Sequence, residues 1–97
     1  MPLAIRCEGP LFVPIVVCDY CCKEITKAAE GNYQWLREDE RPARIYFTHK
    51  ACCRAFEKRQ GGRWLWAELR LLPVYLVNNL EINWKQAKDL AGRFARF

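Results

Sequence analysis

The chain has 97 residues, of which 52% are apolar, and it carries a formal net charge of +5. A chain of this length forms one domain with a modest core, and none of its apolar runs approaches the roughly 18 residues of a membrane span. The N-terminal segment also lacks the charged lead-in and the cleavage site of a secretion signal. We therefore expect a single cytoplasmic domain, residues 1–97, with no membrane partner.

The positive charge is concentrated in the C-terminal half of the chain. Residues 1–53 balance seven Lys and Arg against seven Asp and Glu, whereas residues 54–97 carry nine against four. A basic half next to a neutral half indicates an anionic partner for the basic half. A helical surface that is basic but merely solvated explains the same counts equally well.

The first half of the chain has the pattern of short strands. Residues 1–10 contain Pro2, Gly9 and Pro10 and are expected to be an irregular lead-in, whereas residues 11–17 are apolar and β-branched and predict a strand. A short cysteine turn follows. The stretch NYQWL after Gly31 and the stretch RIYF then predict two strands, which the polar loop REDERPA joins into a hairpin.

The second half of the chain has the pattern of helices. Thr48 is in position to cap a helix from His49 to about Gln60, which two glycines then end. A second helical segment is expected from Arg63, with Pro73 kinking or restarting it. Its apolar stripe consists of Leu65, Leu69, Leu72 and Leu76.

A last helix is predicted near the C-terminus. The stretch from Asn83 to Gln86 has the form of a capping box, and the helix would run to near Arg96. At 100° per residue its apolar side consists of Ala87, Leu90, Ala91, Phe94 and Phe97.

Two cysteine-containing pairs indicate a metal site. Cys18 and Cys21 are two residues apart, as are His49 and Cys52, and 27 residues separate the pairs. In a cytoplasmic chain such cysteines are more often metal ligands than disulfides. The first pair lies in a turn whose N–H groups can stabilise thiolates. Residues of the second pair, three apart at a helix start, lie roughly 60° apart around the axis and can face one point.

Four ligands from two rigid pieces suit tetrahedral zinc, and three cysteines with one histidine are a common structural set. We therefore predict one Zn²⁺ bound by Cys18, Cys21, His49 and Cys52.

The arrangement of cysteine turn, hairpin and ligand-bearing helix resembles a treble-clef zinc finger over residues 16–60. The ligand spacing is also similar to the first half of a LIM domain, although no second zinc half follows. The resemblance implies an α+β fold, with a small treble-clef-like zinc finger in residues 11–60. This finger would consist of the cysteine turn (the zinc knuckle), a β-hairpin and a helix. A basic helical part of two or three helices would follow in residues 63–97.

Three further cysteines leave alternatives open. Cys22 or Cys53 can replace its neighbour as a ligand, but Cys21 and Cys52 both keep the two-residue spacing, and we favour them. Cys7, Cys22 and Cys53 are then small buried side chains or members of a second metal or redox site.

A catalytic role is not expected. A histidine that binds zinc has no lone pair left for base catalysis, and four protein ligands leave no open position for water. The sequence also contains no glycine-rich phosphate loop. We expect neither an enzyme nor a small-molecule substrate.

The basic residues of the C-terminal half indicate the kind of partner that the protein binds. Lys85, Lys88 and Arg96 lie opposite the apolar side of the last helix, and Arg93 lies at the edge of their face. We expect a small regulatory zinc-finger protein that binds nucleic acid, DNA more readily than RNA. The alternative is a zinc-stabilised protein-interaction module that uses Trp64, Trp66 and Trp84, unless these belong to the core. The predicted phosphate contacts are Lys85, Lys88, Arg93 and Arg96, with Lys58, Arg59 and Arg63.

Overall fold

The computed structural model describes residues 3–37 and 42–94. Across these residues the architecture is α+β, with two small antiparallel sheets and three α-helices. The strands are β1 Leu3–Glu8, β2 Leu11–Val16, β3 Gly31–Leu36, β4 Ile45–His49 and β5 Trp64–Glu68. The helices are α1 Cys53–Gln60, α2 Leu72–Asn79 and α3 Trp84–Phe94.

The N-terminal segment forms a β-hairpin. β1 pairs with β2 in an antiparallel register that runs from Leu3↔Val16 to Glu8↔Leu11. Gly9 turns the chain with a φ of +58°, a conformation that glycine adopts without steric cost. The prediction of strand β2 is confirmed. The prediction of an irregular lead-in was wrong from residue 3 onward, because the glycine and proline mark a tight turn between two strands.

The second sheet has three strands in the order β4-β3-β5. The predicted hairpin of β3 and β4 is confirmed. β5 contradicts the predicted helical segment from Arg63: it pairs with β3 from Asn32↔Glu68 to Leu36↔Trp64, and the helix begins only at residue 72. Pairing with a buried strand overrides the helical spacing of the leucines. Pro73 lies in the first turn of α2, so it starts that helix and does not kink it.

Helix α1 begins later than predicted. His49 is the last residue of β4, a 3-10 turn covers Lys50–Cys52, and α1 starts at Cys53. Thr48 is not a cap, because it is fully buried in β4 and its hydroxyl donates a hydrogen bond to Gln34 Oε1. The helix ends before Gly61, as predicted.

The two faces of the three-stranded sheet are covered differently. One face carries the core, in which Tyr33 and Phe47 pack with Cys18, Ile25 and Leu69. Gly31 permits this packing, since a Cβ atom there would lie 2.8 Å from Leu69 Cδ2.

The opposite face of the sheet packs against α1. Phe56 of the helix is 2% exposed and contacts Tyr46 and Trp64, with ring centroids 5.4 and 5.3 Å away. Trp64 is half-buried in this cluster. Trp66 and Trp84 are 57% and 58% exposed, so these two tryptophans are not core residues.

Helix α3 keeps the predicted cap, but only part of its predicted apolar side is covered, and Phe97 and the side chain of Phe94 lie outside the described part of the chain. The backbone N–H of Gln86 donates to Asn83 Oδ1 at 3.1 Å, and Ala87 and Ala91 are half-buried whereas Leu90 is 44% exposed. None of the helices in residues 3–37 and 42–94 is long and apolar enough to cross a membrane.

Candidate metal centre

Four side chains from three segments converge on one point. Cys18 and Cys21 lie in the turn after β2, His49 ends β4, and Cys52 ends the 3-10 turn before α1. Their ligand atoms all lie within 4.8 Å of one another. The structure thus brings together the four residues that the spacing indicates.

The cysteine turn is held by its own backbone. The N–H of Cys18 donates to the carbonyl of Lys23, and the N–H of Cys22 donates to the carbonyl of Cys18, both at 2.9 Å. A β-bridge between Val17 and Glu24 closes the turn. Cys22 has a φ of +63°, in the left-handed region that non-glycine residues rarely adopt, and its side chain is exposed outside the cluster.

Cys18 is the most enclosed of the four residues. It is 1% exposed, and its Sγ accepts hydrogen bonds from the N–H groups of Tyr20, Cys21 and His49 at 3.4, 3.5 and 3.4 Å. Burial by itself raises the pKa of the Cys18 thiol, but these hydrogen bonds outweigh it and lower the pKa to about 7. The backbone therefore stabilises a thiolate at this position.

The pKa of the Cys52 thiol is shifted in the opposite direction, upwards. Burial, together with the negative charges of Cys18 and Cys21, raises the pKa of this thiol to about 11. Three thiolates this close together repel one another unless a cation lies between them. The negative charges that the three cysteines would carry therefore favour a bound cation at the centre of the cluster.

His49 is oriented by a neighbouring carbonyl. Its Nε2 lies 3.2 Å from the carbonyl oxygen of Glu24, whereas its Nδ1 lies 3.4 Å from Cys21 Sγ. When Nε2–H donates to the carbonyl, the lone pair of Nδ1 points into the cluster. A metal-binding histidine is commonly fixed in this way. The three sulfurs and this nitrogen are a donor set suited to a metal ion, and they can supply all four positions of a tetrahedral site.

Cys53 lies on the other side of the sheet. It is 7% exposed, and its Sγ lies 3.4 Å from both Gln34 Nε2 and Glu57 Oε2. Cys7 and Cys22 are exposed, so the interpretation of the three remaining cysteines as buried side chains is correct for Cys53 alone. Within the described part of the chain, these three join no second group of metal-ligating side chains.

The predicted phosphate-binding residues lie on two elements. Lys58 and Arg59 are exposed on α1 and Arg63 just after it, whereas Lys85, Lys88 and Arg93 are exposed on α3. The guanidinium of Arg59 lies 4.5 Å from the ring centroid of Tyr20. Arg96 lies outside the described residues.

A polar groove that was not predicted from the sequence lies between α1 and β5. This groove of about 460 Å³ is lined by Asn32, Lys50, Cys53, Arg54, Glu57, Trp66 and Glu68. The signal for it was the alternation Asn32-Tyr33-Gln34 in a strand, which places two amides on one face and an aromatic ring on the other. Both amides are at least 95% buried, with 5% of Asn32 and 0% of Gln34 exposed.

A second groove is apolar and lies on the core side of the sheet. Its volume is about 550 Å³, and it reaches from the N-terminal hairpin to α2. Its lining includes Leu3, Val16, Phe47, Leu69, Leu72 and Leu76.

Comparisons of the chain with protein-family models, with curated proteins and with solved structures give no significant match.

Proposed function

We propose that Cys18, Cys21, His49 and Cys52 bind one structural Zn²⁺, and that the cysteine turn, the β3–β4 hairpin and α1 form a treble-clef finger around it. The convergence of the four ligand atoms within 4.8 Å supports this proposal. Zinc accepts this combination of thiolates and imidazole in tetrahedral geometry, and a site filled by four protein ligands is structural rather than catalytic. We accordingly propose no enzymatic activity at this centre.

Native mass spectrometry of the purified protein tests the metal. We expect one zinc per chain. Acidification should release it, because the cysteine thiolates then take up protons. A protein that stays folded without metal, or that binds a redox-active metal in preference to zinc, would contradict the proposal.

We further propose that the zinc-stabilised domain binds nucleic acid through phosphate contacts. The supporting observation is the exposure of its cations: Lys58 and Arg59 lie at the end of α1, Arg63 lies just after it, and Lys85, Lys88 and Arg93 lie on α3. Exposed lysines and arginines on helices neutralise phosphates and release the bound counterions. The net charge of +5, which arises entirely from residues 54–97, favours the same partner.

Salt dependence of binding tests the nucleic-acid proposal. If four phosphates of duplex DNA are neutralised, the logarithm of the binding constant falls with the logarithm of the salt concentration with a slope of about −3.6. Lys85→Glu with Lys88→Glu should abolish binding, and Lys23→Glu with Lys27→Glu is the matched control. This control changes the net charge by the same amount as the α3 variant, but at exposed residues of the neutral half. Equal loss in both double variants would mean that net charge alone, and not α3, determines binding.

A protein-binding module is the second candidate, and the apolar groove favours it. Leu76 of α2 lines that groove and is 43% exposed, and its neighbours Val74 and Tyr75 on the same helix are 57% and 50% exposed. Large contiguous apolar surfaces on small domains mark protein interfaces. Binding through this surface would persist at high salt, whereas phosphate binding weakens steeply, so the salt titration separates the two candidates.

A further inference from the structure

The polar groove has the composition of a binding site rather than of a packing defect. Asn32 of β3 contributes to its base, Trp66 and Glu68 of β5 form one wall, and Arg54 and Glu57 of α1 form the other. Its volume of about 460 Å³ is within the usual range of small-ligand sites.

Buried hydrogen bonds keep the base of the groove rigid. Thr48 and Gln34 are both 0% exposed, and the Thr48 hydroxyl donates to Gln34 Oε1. The amide nitrogen of Gln34 in turn donates to Glu57 Oε2 at 3.1 Å and to Cys53 Sγ at 3.4 Å. This chain of contacts fixes the positions of the Glu57 carboxylate and of the strand that carries Asn32.

One acceptor at the base of the groove has no partner. Asn32 is 5% exposed, and its Oδ1 accepts no hydrogen bond from any described residue. Buried carbonyl oxygens nearly always have a donor, and leaving one without a donor is unfavourable. Asn32 lines the groove, so a ligand N–H group that reaches this oxygen from the groove would satisfy it.

The walls of the groove specify the rest of the ligand. Trp66 is 57% exposed and offers an aromatic surface. The charges of the lining cancel, since Lys50 and Arg54 balance Glu57 and Glu68, and Lys50 already pairs with Glu68 at 2.8 Å. A neutral, flat group with hydrogen-bond donors suits such a lining better than an ion does.

Helix α1 adds cations beside the groove. Arg54 lines it, and Lys58 lies one helical turn further along, four residues from Arg54 and exposed. Two cations at this spacing are suited to the phosphates of a strand that passes along the helix.

We propose that the polar groove binds one base of a single-stranded nucleic acid. The base stacks on Trp66 and donates a hydrogen bond from its amino group to Asn32 Oδ1, while Arg54 and Lys58 contact the adjacent phosphates. This inference rests on the nucleic-acid part of the proposed function and adds the strand type and the contact site. Bases of a duplex are paired and stacked and would have to leave the helix to enter, so single strands bind preferentially.

Fluorescence anisotropy with two labelled strands of equal length and charge tests the groove. One strand is oligo(dA), and the other is an abasic deoxyribose-phosphate strand, which keeps the phosphates and lacks the bases. We expect the oligo(dA) strand to bind about 5- to 150-fold more tightly, which corresponds to the stacking of one base on an aromatic side chain.

Three variants show which residues cause the difference in affinity between oligo(dA) and the abasic strand. Trp66→Ala and Asn32→Ala should each reduce it, and Trp66→Ala should remove most of it. Trp84→Ala is the matched control, because Trp84 is equally exposed on α3 and lies outside the groove lining. Thermal melting of each zinc-loaded variant checks that the fold is retained, which is expected for Trp66 because 57% of this residue is exposed.

The outcomes separate this inference from the proposed function. Equal binding of the two strands overturns the base site and leaves phosphate binding in place. A lack of binding to the single strands and to duplex DNA overturns both. A preference for oligo(dA) that survives in Trp66→Ala also overturns the base site, because the bases would then be bound outside the groove.

Discussion

The adjacent pairs Cys21-Cys22 and Cys52-Cys53 each place one sulfur in the candidate metal centre and the other outside it. Cys21 and Cys52 lie in the cluster, whereas Cys22 is exposed and Cys53 lies behind the sheet against Gln34. We predict that Cys21→Ser and Cys52→Ser each lose the zinc, and that Cys22→Ser and Cys53→Ser each keep it. Zinc per chain, measured after gel filtration of each variant, checks this prediction. Retention of zinc by Cys52→Ser would show that Cys53 can turn to replace its neighbour.

A second prediction concerns the backbone at Cys22. Its φ of +63° is strained for a residue with a Cβ atom, and left-handed backbone is unfavourable by roughly 1–2 kcal/mol for such residues. Glycine relieves the strain but gains more freedom in the unfolded chain. We therefore expect Cys22→Gly to raise the free energy of unfolding by about 0.5–1 kcal/mol, measured by denaturant titration of the zinc-loaded protein.

The neighbouring residue supplies the control for this effect. Lys23 is exposed and has no positive φ, so Lys23→Gly should lower the free energy of unfolding by about 0.5–1 kcal/mol. Destabilisation by both substitutions would mean that the Cys22 backbone is not strained in solution.

The four candidate ligand residues could be predicted from the sequence more readily than any other part of the structure. The two ligand pairs are recognisable because each is a local motif of four residues, and their convergence needs only the β3–β4 hairpin between them. The polar groove is different, since Asn32, Arg54 and Trp66 are far apart in sequence. They become neighbours only through the pairing of β3 with β5 and the packing of α1.

At the scale of elements, β5 shows how two periodicities compete. Leu65, Leu69 and Leu72 fit a helical stripe, yet Leu65 lies in a strand, Leu69 in a 3-10 turn and Leu72 at the start of α2. In the strand, Trp64 contacts α1 while Ala67 packs towards the core, which is the alternation of a two-sided sheet. Short strands of this kind depend on long-range pairing, which a local pattern does not reveal.

Helix α3 depends on its cap more than on its packing. Asn83 accepts the N–H of Gln86, whereas Trp84 and Leu90 remain 58% and 44% exposed. We predict that Asn83→Ala weakens the helix by about 1 kcal/mol and lowers the helical signal in far-UV circular dichroism at temperatures below the main unfolding transition. Asn83→Ser, which keeps a capping oxygen, should retain the signal. A shift of the main transition in place of local fraying would show that α3 is tightly coupled to the sheet.

At the scale of the whole molecule, the core of the described residues is small. Only seven apolar residues among them are buried, and one of these is Cys18, a proposed zinc ligand. The cysteine turn is joined to the sheet by a reciprocal pair of hydrogen bonds: the Asp19 N–H donates to the carbonyl of Phe47 at 2.7 Å, and the Phe47 N–H donates to Asp19 Oδ2 at 2.8 Å. A core of this size generally supplies only a few kcal/mol of stability, so domains of this kind often rely on a metal.

Zinc removal is therefore predicted to unfold the protein rather than to loosen one turn. Structural zinc contributes an apparent free energy of roughly 10–16 kcal/mol in finger peptides, which is at least comparable to the 5–15 kcal/mol that typically separates folded from unfolded domains. Excess chelator should abolish the near-UV circular dichroism of Trp64 in its cluster with Phe56 and Tyr46, and stoichiometric zinc should restore it. Chelator saturated with zinc beforehand is the control and should leave the spectrum unchanged. Retention of the aromatic signal in protein shown to be free of metal would mean that the β3–β4–β5 sheet and α1 are stable without the metal centre.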